Sequence, residues 1–175
     1  MVMAYRRSPA RPGFLQFPPR NIDLLQLLTG GVFAGTLATL AQLALWWLTD
    51  MPVLPTLIRD AHLTAAMVMG SGILSPPMML RWDVFLIATL IHFALSVVYA
   101  AAPALIACRL SMFQAMAMGI AYGLAIYAIN LHGFTAFFPW FAVSRDWPTT
   151  VAHAVFGSAL FGWFLAGCPD HSPPL

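Results

Sequence analysis

Lysine and glutamate are absent from this chain: its eight cationic side chains are all arginines and its six anionic ones all aspartates. Water-facing helices are ordinarily decorated with Glu–Lys pairs three or four residues apart, so an exposed, charge-laced helical surface is excluded. Charged residues make up 8% of the chain, against roughly 25% in soluble domains. A globule of this size would lack a polar coat, which excludes an ordinary soluble enzyme. The net charge of +2 is small and scattered, so a nucleic-acid surface is excluded as well. Only two cysteines occur, Cys108 and Cys168, without Cys-x-x-Cys spacing. That argues against a disulfide framework and a thiolate metal site, and both are expected to be free thiols. No glutamate or aspartate accompanies the histidines of the apolar stretches, so the buried acid and base of a hydrolase are missing and the expectation is a non-enzyme.

What the chain has is apolar length. Hydrophobic residues make up 61% of its 175 residues, enough for one compact unit. Crossing a hydrocarbon core of roughly 30 Å takes about 20 apolar residues in a helix. Four gaps between charges qualify: Asp23 to Asp50 encloses 26 uncharged residues, Asp83 to Arg109 encloses 25, Arg109 to Arg145 encloses 35 and Asp146 to Asp170 encloses 23. Their length favours helices over barrel strands. The expectation is an all-α integral membrane four-helix bundle, a single transmembrane domain over residues 21–168. Its spans are expected at about 24–48, 84–108, 112–131 and 149–167, with cytoplasmic tails at 1–20 and 169–175. The stretch 61–75 has an apolar heart of only about 12 residues before Ser75-Pro76-Pro77, about half a membrane. It reads as a re-entrant or interfacial segment, with a fifth full span as the alternative.

Arginine sets the orientation. Arg6, Arg7, Arg11 and Arg20 precede the first span and Arg109 joins them on the same side, leaving Arg59, Arg81 and Arg145 opposite. Both termini are therefore expected in the cytoplasm of a bacterial inner membrane. The first apolar run exceeds the 7–15 residues of a signal-peptide h-region and reads as a retained anchor. Four spans would gather Trp46, Trp47, Trp82, Trp140 and Trp147 into an aromatic belt at the outer interface.

Each span carries one small or polar seam at helical spacing: Gly31, Gly35, Ala38 and Gln42; Thr89, His92, Ser96 and Tyr99; Gly119, Tyr122, Gly123, Ile126 and Asn130; His153 and Gly157. Such seams let helices approach and hide polar groups from lipid. Gly31-x-x-x-Gly35 with Gln42 resembles Gly119-x-x-x-Gly123 with Asn130, as in a faint duplication, although small pairs also recur by chance.

Histidine is the only intramembrane group that titrates near neutral pH. His92 falls roughly 13 Å into its helix and His153 roughly 7 Å, both counted from the same face. Gln42, His92, Asn130, His132 and His153 thus form a candidate polar, proton-responsive cluster, with Arg81, Asp83, Arg145 and Asp146 as a charged rim. Three readings stand: imidazoles that only bond neighbouring helices, a proton relay, or His92 and His153 as axial ligands of haem b. No metal site is expected. The loop 133–147 holds six aromatic residues in fifteen and is expected to lie in the headgroup layer or to dock on a partner subunit or second copy.

The segments Ile91-His92-Phe-Ala-Leu-Ser96-Val-Val-Tyr99, Asn130-Leu-His132-Gly-Phe and Val151-Ala-His153-Ala-Val-Phe-Gly157 resemble the YagU-like small bacterial inner-membrane proteins over about residues 84–165. The resemblance implies a four-span protein without an assigned biochemical activity, accessory or related to acid stress. Look-alikes with a Phe-Pro-Trp-Phe loop are labelled sodium:proline symporters, which implies an oligomeric small-solute or ion transporter as a further alternative.

Overall fold

The computed structural model describes residues 23–168; both expected tails, 1–20 and 169–175, lie outside the described residues. The helices are α1 (Leu24–Leu48), α2 (Val53–Met69), α3 (Trp82–Ile106), α4 (Met112–Ala128) and α5 (Trp147–Ala166), joined by short 3-10 turns and one π turn (Ile129–Gly133). No strand occurs among the described residues. Four helical stretches are long and apolar enough to cross a membrane: Leu24–Leu48, Trp82–Arg109, Met112–Ala136 and Trp147–Ala166. The fold is an all-α four-helix membrane bundle, with α2 as a shorter helix beside it. Many large apolar side chains point outward, among them Leu40, Leu86, Leu90, Val98 and Phe113. In water that surface would drive aggregation; in lipid it is the solvated face.

Local chemistry explains where the helices begin. Asp23 accepts from Leu25 N and caps α1. Asp146 accepts from Thr149 N at the start of α5, where Pro148 occupies the first turn. Ser111 and Gln114 form a reciprocal capping box on α4. Two residues that bound the apolar gaps, Asp23 and Asp146, are thus also the caps that satisfy the first amides of the following helix.

Glycines then set the packing. A methyl group on Gly31 would stand 2.8 Å from Val97 Cα, and one on Gly119 would stand 2.7 Å from Ser158 Cα. Gly123 meets the backbone of His153 and Ala154, and Gly157 meets the backbone of Gly119 and Gly123. These contacts run α1 antiparallel to α3 and α4 antiparallel to α5. Helix α5 lies between α1 and α4, with Gly30 against Trp163 and Phe164, and it supplies much of the core through Phe156, Leu160, Phe161 and Phe164. The two resembling glycine seams therefore serve different partners, α3 in one case and α5 in the other.

Because α1 and α3 are antiparallel, the segment between them starts and ends at the same end of the bundle. A fifth full span is thereby ruled out in this arrangement. The expected segment 61–75 is corrected: the helix starts eight residues earlier, at Val53, ends at Met69 and is followed by a 3-10 turn, Ser71–Leu74. The Arg59–Asp60 pair hid it in the sequence. The two groups neutralise each other at 2.8 Å, so the helix continues through them, and Ala61 and Ala65 pack on Val84 and Ala88 of α3.

The cysteines are a second correction. Cys108 and Cys168 are joined in a disulfide across a sequence separation of 60. The bond ties the α3–α4 connection to the end of α5, which the antiparallel α4–α5 packing brings together. Of the expected tryptophan belt, Trp47, Trp82 and Trp147 are exposed at the opposite end of the bundle. Trp46 instead is buried, and Trp140 donates its indole N–H to Leu63 O at 2.9 Å. That bond docks the aromatic loop on α2 of its own chain.

Candidate functional site

Toward the Trp47 end, the helices leave a cleft with two lobes of about 200 and 380 Å³. Thr39, Gln42, Thr64, His92 and His153 line both lobes; Asn130 lines the smaller, Asp60 the larger. At the smaller lobe, side chains bridge α3 to α4 and to the turn that follows it. Tyr99 donates to Asn130 Oδ1 at 2.6 Å, and Tyr122 donates to Tyr99 O at 2.7 Å.

Hydrogen-bond partners assign the neutral state of each imidazole. His153 Nδ1 lies 2.8 Å from Thr149 O, one turn back on α5. A carbonyl can only accept, so Nδ1 carries the proton and Nε2 keeps its lone pair. His92 Nε2 lies 3.4 Å from both Gly35 O and Thr39 Oγ1. The Thr39 hydroxyl donates to Gly35 O at 2.9 Å, so its proton is committed and, unlike in His153, Nε2 is the donor. His92 Nδ1 is then the bare nitrogen. Both contacts of Nε2 are long, and the ring is held loosely. Space for it comes from Gly35, where a methyl group would stand 3.1 Å from Nε2.

Four of the five expected cluster residues gather here: Gln42, His92, Asn130 and His153. Gln42 Nε2 donates to the buried Thr149 Oγ1 at 3.0 Å, joining α1 to α5. His132 does not belong to the group. It is exposed, lines neither lobe, and sits edge-on to Tyr127 at 5.7 Å, which in turn sits edge-on to His153 at 5.5 Å. His132 follows Asn130 by two residues, and helical spacing already sets such a pair on different faces.

The expected rim is also not a single rim. Arg81 and Asp83 form an exposed pair with each other at 2.6 Å. Arg145 instead anchors the aromatic loop, donating from Nε to Leu131 O and from Nη2 to Thr135 Oγ1, each at 2.7 Å. Asp146 is occupied as the cap of α5.

Sequence reasoning missed Asp60. It lines the larger lobe, and its Oδ1 accepts from Arg59 Nε at 2.9 Å and from Ser144 Oγ at 3.3 Å. Burial pushes the Asp60 carboxyl above its ordinary range against the opposing pull of Arg59, and the nearby Asp146 adds to the upward shift. The Arg-Asp pair was visible in the sequence, but only the inward turn of α2 places it beside the histidines. His62, also on α2, is buried with Nδ1 2.8 Å from Ile58 O. No group of three or more His, Cys, Asp or Glu side chains among the described residues could hold a metal ion.

Comparison with known proteins finds no matching family model, no similar curated protein and no similar solved structure.

Proposed function

We propose that this chain is a small multi-pass protein of the bacterial inner membrane, accessory or acid-stress related, whose His92–His153 cleft responds to protonation from the Trp47 end. One observation carries the reading: both imidazoles share a cleft, and each has one nitrogen committed to the backbone and one bare nitrogen able to take a proton. Titratable neighbours enter from other elements too, Asp60 from α2 and Tyr99 from α3, while His132 reaches His153 only through Tyr127. The resemblance to YagU-like proteins through His92, Asn130, His153 and Gly157 points the same way. The arginine distribution favours termini in the cytoplasm and this cleft toward the periplasm. The exposed Phe137 and Trp147 would be left for lipid or for a second subunit.

Nitrogen-15 NMR of the histidines in lipid nanodiscs tests the proposal. His153 should start as the Nδ1–H tautomer and His92 as the Nε2–H tautomer, and both should ionise between pH 5 and 8. Silence of both rings across that range, together with unchanged acid survival of His92→Ala and His153→Ala strains, would refute it. In a second reading, the same two bare nitrogens would hold a haem iron. Asn130 and Gln42 would then line the pocket, and bound haem would supply electron transfer. A preparation from haem-sufficient cells without a Soret band ends that reading.

A further inference from the structure

The larger lobe of the cleft gathers acceptor atoms from four helices around one carboxylate. Among the described residues, Gln42 donates from its amide nitrogen and leaves Oε1 without a partner. Asp60 receives both of its hydrogen bonds on Oδ1 and leaves Oδ2 open. His153 Nε2 and His92 Nδ1 are bare for the reasons given above. These four atoms come from α1, α2, α5 and α3, and all four are acceptors. Three of the lining hydroxyls are committed elsewhere, Thr39 donating to Gly35 O, Thr64 to Asp60 O and Ser144 to Asp60 Oδ1, which leaves the hydroxyls of Thr149, Thr36 and Thr89 as donors at the lobe. Charge leans the same way. Arg59 offsets Asp60 from one side, while Asp146 adds a second negative charge within its range. Phe85, Phe93, Phe141 and Trp46, whose buried indole N–H has no partner among the described residues, complete the wall. A site of about 380 Å³ falls in the range of small-molecule pockets, roughly 300–1,000 Å³.

We infer that this lobe binds a small organic ammonium ion. An ammonium carries up to three donors and one positive charge, which matches acceptors on four helices and an aromatic wall that favours cations. An anion would meet lone pairs and a carboxylate. A neutral alcohol brings one donor and no charge for the open Asp60 Oδ2. The inference uses the same cleft as the proton-responsive reading and does not require either histidine to titrate.

The test uses the full chain in lipid nanodiscs and calorimetry with phenethylammonium, set against its uncharged near-isostere 2-phenylethanol. The ammonium should bind, and the alcohol should bind about tenfold more weakly or worse, the scale of one charge-assisted contact. Asp60→Asn should weaken the ammonium by a similar factor without affecting the alcohol. Affinity should fall as acidification protonates Asp60, because the ligand stays charged throughout. Equal binding of amine and alcohol by the wild type, or no amine binding at millimolar concentration, overturns the inference even if Asp60→Asn does not fold. Titrating histidines without amine binding defeats this inference alone, whereas amine binding with silent histidines supports it and defeats the proton-responsive reading alone.

Discussion

Asp60 is the residue whose environment departs furthest from what its neighbours in sequence imply. Its carboxyl is raised above the ordinary value of 3.8 mainly by burial, so the folded protein holds that proton more tightly than the unfolded chain does. The sign follows by linkage: this group favours the folded state below 3.8, and the contribution is lost as pH rises through the raised folded value. The melting temperature of the wild type relative to Asp60→Asn should therefore increase as pH is lowered from neutral toward 4. A flat difference across that range would show that the carboxyl is not desolvated. Tyr99→Phe is a second residue-scale case. It removes the donor to Asn130 and should cost about 1 kcal/mol in thermal unfolding, the net worth of one hydrogen bond.

At the scale of elements, the α4–α5 contact depends on backbone meeting backbone. Gly123 faces the His153 carbonyl, which has no flexible end that could yield to a larger residue. Gly123→Val should cost about 3 kcal/mol or more, the upper end of overpacking penalties, and should lower the melting temperature in detergent. Gly162 is the internal control. A methyl group there meets only Met116 Cε at 3.6 Å, so Gly162→Ala should fall within about 0.5 kcal/mol of wild type. Comparable losses in both variants would show that close backbone approach is not what distinguishes Gly123, since helix propensity by itself favours replacing either glycine. Helix α2 belongs to the same scale. Through Ala61 and Ala65 on α3 and through Leu63 O under Trp140, it closes one side of the cleft and delivers Asp60 to it.

For the molecule as a whole, the disulfide and the arginines make opposing demands. Cys108–Cys168 lies at the end of the bundle where α1 begins, the end that the arginine count assigns to the cytoplasm. Disulfides persist in oxidising compartments. Reporters fused after Arg109 and at both termini decide between the two. Cytoplasmic signals require the cysteines to be reduced in cells, and periplasmic signals invert the arginine-based orientation. In the oxidised protein, reduction or Cys108→Ser should cost about 2–4 kcal/mol of stability, the usual worth of a bond closing a long loop. Thermal unfolding with and without reductant measures it, and an unchanged transition would show that the bond does not form.

Hydropathy and seams were legible in the order of residues, because each depends on neighbours within a few positions. The four apolar stretches and the placement of Gln42, His92, Asn130 and His153 on inward faces needed nothing more. What required the folded chain was every relation between distant elements. Helical spacing tells which face a residue occupies, but not which neighbour that face meets or how the chain turns beyond the helix end. Pairing of Cys108 with Cys168, the inward path of α2 that brings Asp60 to the histidines, and the assignment of a proton to each imidazole all depend on helix rotation and contact. Those are decided only when the helices close on one another.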